Sequence, residues 1–150
     1  MKISDRYRDM VSNEIAYVRE RMKEAETEES KLYYYSAVYG IIGRVMRFEH
    51  DPQLLLCHFV LNSTYNLLNQ QVAAIKSGAI SVRLPEDLFD KLDSALGSFQ
   101  DHLAAKQDED LYEDLQSFVV TAWRITGGGF YDEEKLGWFE DRPSPDTQAD

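Results

Sequence analysis

Between Pro52 and Ile75 the chain carries no Asp, Glu, Lys or Arg, although 29% of its 150 residues are charged. In the segment PQLLLCHFVLNSTYNLLNQQVAAI, residues Leu54, His58, Leu61, Tyr65, Leu68, Val72 and Ile75 recur at alternating spacings of four and three. That is the period of a helix seam packed by neighbours. A helix spared all charge is expected to be surrounded on most sides, so residues 52–77 are read as the central helix of an all-α fold. The expected architecture is an antiparallel helical bundle of about five main helices plus a short C-terminal helix.

The flanking sequence supplies the other helices. The first starts at Ser4 and runs to about Glu26, with Tyr7, Met10, Val11, Ile15, Val18, Met22 and Ala25 on one face. Thr27 and Ser30 offer caps for the second, whose inward residues are Leu32, Tyr35, Tyr39, Ile42, Val45 and Met46. Gly40 and Gly43 interrupt it, at about 1 kcal/mol each relative to alanine, and are read as close approach by a neighbouring helix. His50-Asp51-Pro52 ends that helix and opens the central one, with Asp51 as cap. Gly78 suits a left-handed stop. Residues 79–84 alternate and read as extended, and Pro85 opens a fourth helix carrying Leu88, Leu92, Leu96, Phe99 and Leu103 inward. The fifth presents Leu111, Leu115, Phe118, Val119, Ala122 and Ile125 inward and ends at Gly127-Gly128-Gly129. Phe130, Leu136, Trp138 and Phe139 mark the short amphipathic helix. Residues 1–141 form one domain in this reading, with 142–150 a disordered tail.

A chain of this length can bury a core without a covalent staple. Its one cysteine, Cys57, lies in an apolar run and reads as a buried thiol in a reducing compartment. The opening MKISDRYRDM is charged and lacks the apolar core of a secretory signal. The charge-free segment fails as a membrane span because Asn62, Ser63, Thr64, Asn66, Asn69, Gln70 and Gln71 follow its apolar start. A cytoplasmic protein with no membrane partner is the expectation. A net charge of −11 opposes approach to a phosphate backbone and argues against a nucleic-acid partner.

Three constellations bear on chemistry. ISVRLPEDLFDKLDSAL, residues 80–96, resembles the opening of a ribbon-helix-helix DNA-binding domain, which would imply a strand paired across a dimer with Ser81 and Arg83 facing a groove. Read alone, the same residues make an extended connector that enters a helix through proline. RVMRFEH, with Arg44 and His50, resembles the arginine-to-histidine motif of the helical ribonuclease and toxin families called HEPN domains. The resemblance implies metal-independent RNA cleavage, the arginine steadying the phosphorane and the imidazole moving protons. Read alone, Arg44 and Arg47 complement a helix C-terminus and His50 helps to cap it. His58, Asn62, Tyr65 and Asn69 form a polar stripe on the charge-free helix. It reads either as a small-ligand pocket built from His58, Asn62 and Asn69 or as paired polar groups that fix helix register.

No histidine has the carboxylate spacing of a di-iron bundle or a zinc site, so no metal and no cofactor is expected. The acidic runs read as solvated helix faces. Tyr33, Tyr34 and Tyr35 point round the helix and cannot all face one core, which marks them as an interface. With no recognisable reaction centre, the reading is a non-enzymatic helical-bundle protein acting through self-association, a dimer favoured, or through a protein partner. The HEPN-like ribonuclease and the ligand-binding bundle stand as alternatives.

Overall fold

The computed structural model describes residues 1–80 and 83–126. They form α1 (Asp5–Glu24), α2 (Glu28–Val45), α3 (Pro52–Lys76), α4 (Leu88–Ala104) and α5 (Leu111–Thr126), with a single 3-10 turn at Asp108–Asp110 leading into α5. No strand occurs among the described residues. The short helix expected at 130–139, the tail at 142–150, and Ser81 and Val82 lie outside them.

Local chemistry sets the helix ends. Thr27 Oγ1 accepts the Ser30 amide at 3.1 Å. Asp51 Oδ1 accepts the amides of Gln53 and Leu54 at 2.9 and 3.4 Å, with Pro52 in the first turn. Gly78 follows α3 with φ of 79°, the left-handed conformation that favours glycine. α4 begins three residues later than Pro85 suggests, because Pro85 instead opens a turn in which its carbonyl accepts the Leu88 amide at 3.2 Å.

The helices pack in a closed ring in the order α1, α2, α3, α5, α4 and back to α1. Polar ties at the seams show their directions. Lys76 at the end of α3 meets Glu29 at the start of α2 at 2.8 Å, and Lys106 beyond α4 meets Asp5 at the start of α1 at 2.8 Å. Those seams are antiparallel. The α3–α5 seam is parallel: Gln53 Nε2, at the start of α3, donates to the Asp108 carbonyl just ahead of α5 at 2.8 Å.

The core fills the ring's interior. Val11, Ile15 and Val18 of α1 meet Tyr35 and Ile42 of α2, Leu61 and Leu68 of α3, Leu92, Leu96 and Phe99 of α4, and Phe118 of α5, all fully or almost fully buried. Each such side chain contributes about 1.5 to 3 kcal/mol of transfer free energy. Tyr35 is buried among them, and its hydroxyl donates to the Leu61 carbonyl at 2.9 Å. Gly43 lets α3 approach α2, since a Cβ there would sit 3.3 Å from His58 Nε2; Gly40 faces open space instead. α3 is therefore not central. It is one stave of five, packed on α2 and α5, and its buried stripe is Leu54, Cys57, Leu61, Thr64, Leu68 and Val72.

Arg8 fastens the ring at one pole. Its guanidinium is 5% exposed and donates to both Asp108 carboxylate oxygens, at 2.7 and 2.8 Å, and to the carbonyls of Leu103 and Met1, at 3.2 and 2.9 Å. Helical periodicity places Met10 inward on α1, yet Met10 is exposed and Arg8 takes an inward position. The bidentate pair offsets the desolvation of both charges. A second fork, Arg19 to Asp93 at 2.9 and 3.3 Å, joins α1 to α4 over Gly97, where a Cβ would lie 2.7 Å from the guanidinium.

The Arg8 guanidinium holds the Asp108 carboxyl down at about 2. Its stabilisation is present above the ordinary carboxylate value and is lost as pH falls through the lowered one. Urea denaturation should therefore show stability declining between about pH 4 and pH 2, and Asp108→Asn should make that decline shallower, leaving the shares of Asp5, Glu29 and Asp51, whose carboxyls are also held low. At neutral pH the same variant should cost about 2 to 4 kcal/mol, slightly under the range for fully buried pairs because Asp108 stays partly wet. Gly97→Ala should change stability by less than about 0.5 kcal/mol, its helix-propensity gain being cancelled by displacement of Arg19. In an Arg19→Ala background the same change should stabilise by about 1 kcal/mol.

Candidate functional site

An uncharged helix at the rim of a ring must show part of itself to water. The outward residues of α3 include Leu55, Leu56, Phe59 and Leu67, and Phe59 is 56% exposed. Across the seam, α5 exposes Tyr112, Val119, Val120 and Trp123. No Asp, Glu, Lys or Arg occurs from Leu115 to Trp123. A shallow groove runs along the parallel pair, with Leu56 and Val60 on one wall and Tyr112, Leu115, Val119 and Val120 on the other. Val119, assigned to the core by periodicity, belongs to this surface.

The opposite side of α5 is polar. A groove of about 600 Å³ between α4 and α5 is lined by Lys91, Ser94, Ser98 and His102 from one helix and Glu113, Asp114, Ser117, Thr121 and Arg124 from the other. Asp114 is 3% exposed and sits at a core-facing position between Leu111 and Phe118. Its carboxylate accepts from Ser98 Oγ at 2.6 Å and pairs with His102 Nδ1 at 2.7 Å. The hydrogen bond to Asp114 raises the His102 pKa, outweighing partial desolvation. The arrangement fixes the imidazole's orientation with its other ring nitrogen unclaimed by Asp114.

The residues singled out in sequence fall in several places. Arg44 is exposed in the last turn of α2, and His50 is exposed in the connection to α3. Neither lines a described cavity. His58 is half-buried, its ring edge-on to Tyr39 at 6.1 Å between centroids, and its Nδ1 lacks a partner among the described residues. Asn62 is half-buried and Asn69 is exposed; the described cavities include none lined by these three residues. Of the tyrosines, Tyr33 is 71% exposed, Tyr34 lies half-buried against it, and Tyr35 is in the core, so Tyr35 cannot serve an interface. Cys57 is buried, which pushes its thiol up to about 12. No group of three potential metal ligands occurs among the described residues, and none of their helices is long and apolar enough to cross a membrane.

Periodicity alone missed the Asp114–His102 pair because the partners lie on different helices. One signal was present: a carboxylate at a core-facing position of α5. For the pair, an NMR titration should place the His102 midpoint above the ordinary value of about 6.5, and Asp114→Asn should lower it. Stability owed to the pair is complete below the ordinary histidine value and should fall as pH rises through the raised one. Comparison of the chain with family models, curated proteins and solved structures gives no match.

Proposed function

We propose that this protein is a non-enzymatic interaction module whose α3–α5 face meets a second copy of the chain. The observation that carries the reading is the exposure of apolar residues along two helix segments that together carry no charge. With a net charge of −11, most ways of bringing two copies together oppose like charges. This face meets itself without that cost. A two-fold contact uses the same patch on both copies, and the aromatic and aliphatic side chains here are of the type that fills interface centres. Tyr33 lies at the start of α2 and supports at most a separate, smaller contact. The ribonuclease-like alternative gains nothing from Arg44 and His50, which share no described cleft.

Light scattering on the purified chain at micromolar concentration should give the mass of two chains. Phe59→Glu and Val120→Glu alter exposed positions, so each should keep the helical circular dichroism while weakening the dimer by about 2 kcal/mol or more, with the thermal midpoint losing only its dependence on protein concentration. Removal of 127–150 should leave the dimer intact. A monomeric full-length protein, or a dimer that appears only after truncation, contradicts the reading; the second result would assign the face to the chain's own Phe130, Leu136, Trp138 and Phe139.

A further inference from the structure

We infer that the polar groove between α4 and α5 binds a short peptide with free ends, its carboxylate towards Lys91 and Arg124 and its amine towards Glu113. The groove lies on the α4 side of α5 and adjoins the proposed dimer face along Gln116 and Val120, which line both. Charge is distributed along it as a dipole. At one end Lys91 Nζ and Arg124 Nη1 share the single carboxylate oxygen Asp87 Oδ2 at 3.5 and 3.9 Å, two cations against one anion, both too distant for strong hydrogen bonds. At the other end Glu113 adds a negative charge beside the mutually compensating His102–Asp114 pair.

The middle of the groove offers both acceptors and donors. Ser98 Oγ donates its proton to Asp114, Ser117 Oγ to the Glu113 carbonyl at 3.2 Å, and Thr121 Oγ1 to the Ser117 carbonyl at 2.8 Å, so these three oxygens offer lone pairs. The Ser94 hydroxyl and the Gln116 amide add donors. A peptide backbone, with an N–H and a carbonyl in each unit, meets both. Lys91 and Arg124 reject a polyamine, and Glu113 rejects a ligand with anions at both ends. From Glu113 to Arg124 the helix rises about 16 Å, which an extended peptide of about four or five residues spans. Ala95 gives its side chains apolar contact.

The test is an amide NMR titration of the full chain with tetra-alanine, alongside the same peptide acetylated and amidated. Tetra-alanine should produce saturable shifts confined to α4 and α5, and blocking its ends should weaken binding about tenfold or more. The double variant Lys91→Gln/Arg124→Gln, at one exposed and one half-buried position, should do the same, and Glu113→Gln should weaken only the peptide with a free amine. Phe59→Glu should bind normally, which separates failure here from failure of the dimer reading. Absence of saturable shifts up to about 5 mM, equal affinity for the blocked peptide, or shifts centred on α3 would overturn the assignment.

Discussion

Five helices joined in sequence and packed in a ring cannot alternate direction at every seam, because the count is odd. One neighbouring pair must run parallel. Here it is α3 with α5, and the connection between α3 and α4 carries the chain across one pole instead of into the adjacent stave. At the opposite pole the start of α1, the α2–α3 corner and the α4–α5 corner converge. Asp108 is the shared point: its carboxylate takes the Arg8 fork and its carbonyl takes Gln53. A buried guanidinium without that carboxylate would be strongly destabilising, so closure of the ring and burial of Arg8 are one event.

The distribution of charge follows from the same architecture. The chain has 16 basic and 27 acidic side chains, and two of its arginines, Arg8 and Arg19, serve as forks from α1 to acidic partners across the ring. From Pro52 to Ile75 α3 contributes only apolar and uncharged polar groups, and its rim position exposes them. The parallel pair thereby presents an apolar strip, while the antiparallel α4–α5 seam presents hydroxyls, a fixed imidazole and charges of both signs. The two surfaces flank one helix and differ in their chemistry.

Much of the fold was legible in the residues themselves. Proline, aspartate and glycine punctuation located both ends of α3, and Thr27 located the start of α2, because capping is local chemistry. The seam of α2 and the burial of Cys57 follow from spacing and polarity. The centrality of α3 does not: absence of charge records that no residue is ionised there, and both a core helix and an exposed apolar face satisfy it. Arg8 escaped periodicity because its burial depends on Asp108, one hundred residues away. The Asp114–His102 pair escaped for a similar reason, since each residue in isolation resembles part of a solvated helix face. Gly43 carried a correct packing signal through His58 while Gly40, three residues earlier, faces open space.

In the proposed dimer the charge-free strip of α3 with α5 is the contact surface between copies. Isotope-filtered NOE spectroscopy on a mixture of labelled and unlabelled chains reads it directly. Intermolecular contacts from the Phe59 ring and the methyl groups of Leu56 and Val120 are expected. Contacts confined to Tyr33, or no intermolecular contacts at concentrations where the protein has the mass of a dimer, would contradict it.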